Sequence, residues 1–382
     1  MVSENSDLYR AHPDWAIKIP GKKHSEGRNQ MILDLTRTDV QQYIIDAMSG
    51  LFSSCNIAYV KWDMNRTFTD VFSRALPSDR QGEVIHRYYI GLYHVMNVLT
   101  RKFPKILFEG CAAGGNRFDL GILCYFPQIW ASDDTDPAAR AEIQTSYSYG
   151  YPPSAISCHL SDSPNHQTLR KTLIETRFNV ASFGVLGYEC NLCDMENYRF
   201  EKIKKQIAFY KEWRQVMQFG RFYRIMTFRD SLSSNPSVIW PTTGKHLEWC
   251  MVSRDRSSAV SMMMQLTVIP NSQGAVIHPA GLVPEWLYDL DGYDTKHNIL
   301  AFGSLVNMGS PIHIKEGKHL HNILARHVFI AGEKESHTMY GNAIMEAGVR
   351  LRSAFAAVGK NDNVRYYQDY GSRIYTIKRH EQ

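Results

Sequence analysis

Apolar and polar positions follow two alternating periods between residues 29 and 219. Short apolar runs rich in β-branched and aromatic residues alternate with longer stretches whose apolar positions recur every three to four residues, as in an amphipathic helix. We predict strands at residues 29–35, 57–62, 105–109, 127–131, 154–159 and 181–187, and helices at residues 40–51, 82–102, 137–149, 168–178 and 197–219. Regular alternation of strands and helices predicts an α/β domain with a parallel sheet.

Acidic residues collect just after the predicted strands, at Asp34, Asp63, Glu109 and the cluster at 133–136. A (β/α)8 barrel places its catalytic groups at this end of its strands, so the pattern favours a barrel over a doubly wound sheet. The glycine-rich loop at 110–116 has neither the GxGxxG nor the GxxxxGK spacing of a nucleotide site. Six strands are two fewer than a closed barrel needs, so we predict a (β/α)8 TIM barrel that lacks about two strands.

The pattern of alternating strands and helices ends near residue 222. Strand-like runs at 237–240, 246–252, 258–265 and 365–378 are separated by turn residues, which predicts a C-terminal antiparallel β domain. The stretches 321–337 and 340–352 are ambiguous. We therefore divide the 382 residues into a partial barrel at 1–225 and a β-sandwich-like domain at 226–382.

The stretch at residues 57–66 is apolar at its start and charged at its end. Because side chains alternate across a strand, Tyr59, Lys61 and Asp63 share one face. A Lys–Asp pair at a strand end is typical of a catalytic mouth, since a buried charge is costly unless it is used. The alternative interpretation is a buried ion pair that only fixes the end of the strand.

Composition narrows the classes of function. The net charge of +5 comes from mixed basic and acidic residues, with no basic block typical of nucleic-acid binding. No apolar run approaches a membrane span and no signal peptide is recognisable, so we expect a cytoplasmic protein without a membrane partner. Seven irregularly spaced cysteines argue against a disulfide framework, and the lone CxxC of Cys190 and Cys193 predicts no metal or redox site.

Two acidic sites follow two different predicted strands: Asp63, and the group of Asp133, Asp134 and Asp136. Two carboxylates across a polar pocket are the equipment of a glycosidase. Trp62 and Trp130 lie close to them in the sequence, and sugar rings stack on such aromatic faces. A divalent metal held by the second group is the alternative, which the absence of a histidine at ligand spacing makes less favourable.

Four motifs resemble those of the α-galactosidases of glycoside hydrolase family 36, in the same order and at the same spacing. They are Gly27-Arg-Asn-Gln30 followed by Leu33-Asp-Leu35, Lys61-Trp-Asp-Met-Asn-Arg66, Cys111-Ala-Ala-Gly-Gly-Asn-Arg-Phe-Asp119 and Gln128-Ile-Trp-Ala-Ser-Asp-Asp-Thr-Asp136. The resemblance covers essentially the whole chain. It implies a retaining glycoside hydrolase without a metal or organic cofactor.

The resemblance also implies residue roles. Asp63 would be the nucleophile and Asp133 the general acid/base, with Asp134 and then Asp136 as less favoured choices. Lys61 and Arg28 would hydrogen-bond galactose hydroxyls, and Lys61 would keep Asp63 ionised.

Further members of the implied sugar site come from the same motifs. Cys111 would line the pocket at the axial 4-hydroxyl, Trp130 would help to wall it, and Asn65 and Ala113 complete the substrate-binding set. Cys111 could instead be a buried small residue. We expect Arg117 and Asp119 to pair with each other and hold their loop.

The implied substrates are α-galactosides such as melibiose or raffinose-type sugars, and the implied assembly is a homo-oligomer, a tetramer when the full-length chain is present. The resemblance implies that the family's N-terminal β-sandwich and about its first two barrel strands have no counterpart here, so we expect a TIM barrel lacking about its first two strands and a truncated form with weak or no activity alone. The rival functions are a non-catalytic galactoside-binding remnant and an α-N-acetylgalactosaminidase.

Overall fold

A computed structural model describes residues 1–195, 197–228, 246–268, 275–293, 296–298, 303–304, 307, 311–315, 317–331, 335–351 and 368–381. Two compact units divide the chain. The first contains Met1–Asp133 and Ala155–Ser157, and the second contains Asp134–Ser154 and Cys158–Gln382. Every predicted catalytic and sugar-binding residue belongs to the first unit. The predicted domain boundary at 225/226 falls within a strand, β6, that is described below.

The predicted parallel sheet is confirmed. Its five strands are β1 (Tyr59–Trp62), β2 (Leu107–Gly110), β3 (Gln128–Trp130), β4 (Ile156–Ser161) and β5 (Val185–Glu189), hydrogen-bonded in chain order. The register of the first pair places Lys61 opposite Glu109, and that of the second places Glu109 opposite Gln128. Consecutive parallel strands that lie side by side are the arrangement of a partial TIM barrel.

Residues 29–35 are not a strand of this sheet, contrary to the prediction. They make isolated antiparallel bridges instead, Met31 with Val2 and Leu33 with Ala16. Met31 and Leu33 are buried, which is why the segment reads as an apolar run. The hydrophobic pattern specifies that a segment is buried, but it does not specify the segment with which it pairs.

The helices of the chain are α1 (Asp7–Ala11), α2 (Thr38–Ser54), α3 (Val84–Lys102), α4 (Leu120–Leu123), α5 (Pro137–Tyr147), α6 (Ile174–Ala181), α7 (Asn197–Phe219) and α8 (His319–His327). The bounds of α7 are as predicted, whereas α6 begins six residues later than predicted. The Asn165 side chain accepts hydrogen bonds from the backbone N–H groups of Gln167 and Thr168, and Leu169 has a positive φ of 57°. This local turn competes with a helix and delays its start.

The C-terminal antiparallel sheet is also confirmed. It contains β6 (Arg221–Met226), β7 (His246–Val252), β8 (Ser258–Gln265), β10 (Leu287–Gly292), β13 (Ser336–Tyr340) and β15 (Ser372–Arg379), in the order β13–β10–β15–β8–β7–β6. Two short pairs accompany it, β9 (Val276–Ile277) with β14 (Val349–Arg350) and β11 (Lys296–Asn298) with β12 (Phe329–Ala331). The predicted strand at 237–240 lies outside the described residues.

Both faces of the central strands β7 and β8 are covered. Leu247 and Trp249 pack in one apolar cluster with residues of α6 and α7, whereas Cys250 and Val252 pack in a second cluster with Tyr288. A strand that is buried on both faces loses the polar–apolar alternation, which explains its nearly continuous apolar sequence. Among the described helices, none is both long enough and apolar enough for a membrane crossing.

Candidate active site

The carboxyl ends of β1, β2 and β3 bring three side chains into contact. Lys61 Nζ lies 3.7 Å from Glu109 Oε1 and 4.5 Å from the centroid of the Trp130 ring. Glu109 is only 2% exposed, while the Lys61 side chain is 38% exposed. Lys61 therefore forms its ion pair with the buried Glu109. The interpretation of Lys61 and Asp63 as a buried ion pair that fixes the strand end is wrong.

Glu109 is also held by two hydrogen-bond donors from its neighbouring strands. The Tyr59 hydroxyl and Gln128 Nε2 both donate to Glu109 Oε2, the latter at 3.0 Å. Gln128 in turn lies 2.6 Å from Ser157 Oγ on β4. We call Tyr59, Lys61, Glu109 and Gln128 the strand-end network, because it ties the ends of adjacent strands together and fixes where Lys61 points.

Asp63 follows β1 and is exposed. Asn65 Nδ2 donates to Asp63 Oδ2 at 2.7 Å, while Asn65 Oδ1 accepts the backbone N–H of Ala113 at 3.1 Å. Ala113 has a positive φ of 48°, a conformation that costs energy for a residue other than glycine and that is found most often at functional sites. Asn65 thus joins Asp63 to the loop that follows β2.

Cys111 is 4% exposed, and its thiol lies beside Asp63. Burial raises the pKa of the Cys111 thiol to about 11, and the Asp63 carboxylate adds to this effect. The thiol is therefore neutral at physiological pH and can only donate a weak hydrogen bond or pack. Cys111 is thus buried, as the interpretation of a buried small residue requires, and its place beside Asp63 is compatible with a lining position in the pocket.

Asp133 follows β3. Its Oδ1 accepts a hydrogen bond of 2.9 Å from Trp130 Nε1, so the buried Trp130 holds both Lys61, over its ring face, and Asp133, at its edge. Gly114 allows the loop after β2 to approach this segment. A Cβ atom on Gly114 would lie 3.0 Å from Ser132 Cα and 3.3 Å from the Asp133 nitrogen, and its φ is +85°.

The other two acidic residues of the cluster have structural partners. Asp136 is fully buried and forms an ion pair with Arg170, whose guanidinium stacks on Tyr370. Asp134 accepts the backbone N–H of Asp136 at 3.0 Å, and burial raises the pKa of Asp134. Since Arg170 occupies Asp136, the metal alternative for this cluster is not supported. In the described part of the chain, the carboxylates and imidazole that converge closely enough for a metal are those of Glu4, His24 and Glu26.

Arg28 lies at the tip of a two-residue hairpin turn. Arg28 and Asn29 have φ values of 54° and 57°, and reciprocal backbone hydrogen bonds of 3.1 and 3.2 Å join Gly27 and Gln30. Two consecutive left-handed residues define a type I′ turn, which is unusual without glycine or asparagine at its first position. Arg28 is exposed and makes no hydrogen bond to the other predicted site residues.

Arg66, which the sequence interpretation did not single out, anchors this hairpin. Its guanidinium donates to the Ser25 carbonyl at 2.9 Å and to Thr69 Oγ1 at 2.7 Å, and it also reaches the Gln30 carbonyl at 3.3 Å. Because Arg66 ends the same motif that contains Asp63, one short segment supplies a carboxylate and the support of the turn that presents Arg28.

Arg117 and Asp119 do not pair with each other, contrary to the prediction. Arg117 donates to the carbonyls of Trp62 and Cys111, at the ends of β1 and β2. Asp119 accepts from the Tyr93 hydroxyl and caps α4 through the Ile122 N–H. Both carbonyls also accept backbone N–H groups, Trp62 from Cys111 at 2.9 Å and Cys111 from Met64 at 3.1 Å, so Arg117 uses the remaining acceptor capacity of each oxygen. The sequence contains no local signal for such contacts.

The chain is similar to known families and proteins. The Melibiase family model matches residues 1–220, and the glycosyl hydrolase family 36 C-terminal domain matches residues 246–377. Alpha-galactosidase AgaA of Geobacillus stearothermophilus is 44% identical over 292 residues, which are 76% of this chain and 38% of that protein. Alpha-galactosidase 1 of Pediococcus pentosaceus is 43% identical over 288 residues, 75% of this chain and 38% of its own length.

Solved structures give the same result. The alpha-galactosidase of Lactobacillus brevis superposes with a TM-score of 0.79 at 35% identity, over 100% of this chain and 43% of that one. AgaA in complex with raffinose superposes with a TM-score of 0.78, over 99% of this chain and 43% of that one. The chain spans less than half the length of these relatives. It belongs to the melibiase family, the α-galactosidases of glycoside hydrolase family 36.

Proposed function

We propose that this chain carries the catalytic carboxylates of a retaining α-galactosidase, with Asp63 as the nucleophile and Asp133 as the general acid/base. The observation that carries the proposal is the contact between the two loops: Gly114 packs against the backbone of Ser132 and Asp133, while Asn65 links Asp63 to Ala113 in the same loop as Gly114. The two carboxylates thus project from adjoining loops on one edge of the sheet.

The spacing of substituted residues in AgaA supports this choice. Its raffinose complex carries an Asp→Asn substitution and its stachyose complex an Asp→Ala substitution, at positions seventy residues apart. Asp63 and Asp133 have the same separation, whereas Asp134 and Asp136 do not. The ion pair of Asp136 with Arg170 also removes Asp136 as a proton donor.

In the proposed mechanism, Asp63 attacks the anomeric carbon while Asp133 protonates the departing glycosidic oxygen. The bond from the sugar to the leaving group breaks as the bond to Asp63 forms. Asp133, now a carboxylate, deprotonates a water that releases α-galactose from Asp63. Asn65 holds the orientation of the Asp63 carboxylate through Oδ2, and Trp130 holds that of Asp133 through Oδ1.

The sugar-binding residues follow from the same arrangement. Lys61 and Asp63 both lie close enough to Cys111 to affect the pKa of its thiol, and the strand-end network fixes the position of Lys61. Its ammonium can therefore donate to galactose hydroxyls. Cys111 lies at the wall next to Asp63, and Asn65 and Ala113 form the adjoining edge. Trp130 forms the floor beneath Lys61, and Arg28 reaches the sugar from its hairpin. Melibiose and raffinose-type sugars are the proposed substrates, in keeping with the raffinose and stachyose complexes of AgaA.

Two further proposals accompany this one: a cytoplasmic location, and a homo-oligomer that is a tetramer, by family resemblance, when the full-length chain is present. Light scattering on the purified chain measures the second directly. A monomer at every concentration would contradict a homo-oligomer of this chain, and the catalytic proposal does not depend on the result.

Trapping of the covalent intermediate tests the catalytic proposal even when turnover is slow. The chain is incubated with 5-fluoro-α-galactosyl fluoride and digested, and the labelled peptide is sequenced by mass spectrometry. We expect one galactosyl adduct on Asp63, its loss in Asp63→Asn, and accumulation of the adduct in Asp133→Asn because deglycosylation lacks its base. Labelling at another carboxylate would overturn the proposal.

Further measurements distinguish the proposed enzyme from the two rival functions. Galactose binding without any adduct would favour a non-catalytic binding protein, and faster hydrolysis of an aryl α-N-acetylgalactosaminide than of the α-galactoside would favour the aminidase. Asp46→Asn, an acid on α2 outside the site, should label like the unsubstituted chain.

A further inference from the structure

Three side chains of the kinds that bind metal ions converge in the first unit. The carboxylates of Glu4 and Glu26 and the imidazole of His24 each place a ligand atom within 4.8 Å of the other two. His24 Nε2 lies 3.0 Å from Glu26 Oε1 and 3.6 Å from Glu4 Oε2. None of the three belongs to the catalytic or sugar-binding residues proposed above, so the group has no part in that mechanism.

Backbone contacts between two segments bring these side chains together. Reciprocal hydrogen bonds of 2.8 and 3.0 Å join Val2 to Met31, and they set the turn that contains Glu4 beside the segment that leads into the hairpin. Ser25 lies between the other two ligands in the sequence. Its N–H and its hydroxyl both donate to the Asp70 carboxylate at 2.9 Å, which anchors the backbone on which those ligands stand.

His24 is an independent indication of a ligand, because its imidazole is nine-tenths buried and directed at the two carboxylates. Its side chain is 8% exposed, whereas those of Glu4 and Glu26 are 57% and 31% exposed. In the part of the chain that the structure describes, His24 has no hydrogen bond or ion pair outside this group, and its ring makes an edge-to-face contact with Tyr9. Both carboxylates approach the same nitrogen, which carries at most one hydrogen. A dication accepts all three groups as ligands, whereas one N–H serves two carboxylates poorly.

We propose that Glu4, His24 and Glu26 bind a divalent transition-metal ion, Zn²⁺ by preference, with water as the fourth ligand. Zinc takes both imidazole and carboxylate ligands. A tetrahedral zinc ion with bonds of about 2.1 Å separates its ligand atoms by about 3.4 Å, close to the two distances from His24 Nε2. Calcium and magnesium prefer oxygen ligands throughout, so the imidazole disfavours them.

A metal ion at this position ties the N-terminal turn to the hairpin. Glu26 directly precedes Gly27, whose hydrogen bonds with Gln30 close the hairpin turn. Arg66 already holds the same segment through the Ser25 carbonyl. The ion adds a second anchor, so amide hydrogen exchange at Gly27 and Gln30 should slow when zinc is bound. This protection does not depend on what the hairpin contacts.

Calorimetric titration of the untagged full chain with zinc, after a chelator has removed bound metals, tests the site. We expect one zinc ion of highest affinity per chain, with a dissociation constant in the micromolar range or below, and no competition from millimolar calcium or magnesium. Cobalt(II) should bind in its place and show the visible absorption of a four-coordinate site. His24→Ala should weaken zinc binding by at least about a hundredfold, and Glu4→Gln and Glu26→Gln by roughly tenfold each, since an amide oxygen carries no charge.

The matched control is His94→Ala, at an exposed histidine of α3 that is outside the group. Its zinc affinity should equal that of the unsubstituted chain. Circular dichroism checks that each variant is folded, and the exposed Glu4 gives a test that survives if the loss of His24 prevents folding.

Four outcomes contradict the proposal. Absence of zinc binding below millimolar concentration would mean that a protonated His24 alone holds the two carboxylates. Unchanged affinity in both glutamine variants, or equal weakening by His94→Ala, would place the zinc elsewhere. Competition by calcium would overturn the choice of a transition metal, and unchanged hydrogen exchange would overturn the link to the hairpin. Galactosyl labelling at Asp63 has no part in these measurements, so either proposal can fail without the other.

Discussion

Two buried glutamates, one in each sheet, occupy opposite chemical settings. Glu109, on β2 of the parallel sheet, contacts the Lys61 ammonium and accepts hydrogen bonds from Tyr59 and Gln128. Glu248, on β7 of the antiparallel sheet, is 1% exposed and accepts from the backbone N–H of His278 at 2.6 Å. A buried carboxylate with a cation and two donors can remain charged and position other groups, whereas one among apolar neighbours favours its protonated form.

The strand neighbours of Glu248 explain the difference. It lies opposite Met226 on β6 and Met263 on β8, and no cation contacts its carboxyl group in the described part of the chain. Burial raises the pKa of Glu248 to about 8, with the His278 N–H opposing the shift. The parallel sheet thus uses a buried acid to organise its carboxyl edge, whereas the antiparallel sheet holds a buried acid as a proton-binding group.

Replacement of Glu248 by glutamine is the change with the largest expected effect. The folded pKa of about 8 lies above the ordinary value of 4.5, so the folded chain binds a proton that the unfolded chain has lost between these two pH values. The contribution of Glu248 to stability is complete below pH 4.5 and declines by at most about 1.4 kcal/mol per pH unit until pH 8. Glutamine cannot ionise, so Glu248→Gln should be the more stable chain at pH 8, by several kcal/mol.

Urea unfolding from pH 5 to pH 8 measures this difference. The unsubstituted chain should lose stability across the range, and Glu248→Gln should lose less. Glu285→Gln, at an exposed position of the same unit, is the control and should follow the unsubstituted chain. Parallel profiles for all three proteins would mean that Glu248 is ionised in the folded state, and the contrast with Glu109 would fail.

Removal of the cation from the strand-end network is the second change. Lys61→Met leaves Glu109 buried without its ammonium, and we expect a loss of about 2 kcal/mol, less than for a fully buried pair because Lys61 is partly exposed. The double variant Lys61→Met/Glu109→Gln should recover most of that stability, since no unpaired charge remains. It should not recover galactosyl labelling of Asp63, because the sugar still lacks the ammonium.

Urea unfolding and the labelling rate measure these two effects separately. If the single and double variants were equally stable, the burial of Glu109 would not need the Lys61 ammonium to stabilise it. Full labelling in the double variant would contradict a role for Lys61 in sugar binding.

The same contrast shows how far the sequence could predict the molecule. The alternation of short apolar runs with helix-periodic stretches predicted the five parallel strands, because each strand of that sheet is a compact apolar run between helices. The same pattern wrongly placed residues 29–35 in the parallel sheet. These residues are equally apolar, but they form antiparallel bridges with Val2 and Ala16. Local sequence records burial faithfully, but pairing depends on segments that are distant in the chain.

For the site, motif resemblance assigned the proposed roles of Asp63, Asp133 and Lys61, yet it missed the groups that contact these side chains. Glu109 stands out only as an acid after a strand, and its contact with Lys61 depends on the β1–β2 register. Arg117 contacts backbone carbonyls, and Arg66 contacts carbonyls and the Thr69 hydroxyl, and none of these acceptors gives a signal in the sequence. Cross-strand register and carbonyl acceptors exist only after folding, so these positioning roles could not be predicted.

The loop contact at Gly114 gives the smallest of the three expected effects. Alanine there would have an unfavourable φ of +85° and a Cβ 3.0 Å from Ser132 Cα, so the loop after β2 must move away from Asp133 by a few tenths of an ångström. We expect Gly114→Ala to cost about 1 kcal/mol in stability, the usual penalty of a left-handed conformation for a side chain. Because Ala113 and Asn65 move with this loop, the orientation of Asp63 changes as well.

Galactosyl labelling should therefore slow by more than the loss of stability alone would cause, roughly tenfold at a temperature where the variant is fully folded. Gly82→Ala is the matched control, since its Cβ would meet no atom within 4 Å and its φ is not positive. It should label at the unsubstituted rate. If Gly114→Ala does the same, the approach of the two loops does not set the geometry of the carboxylates. The parallel sheet would then position its acids through the strand-end network alone.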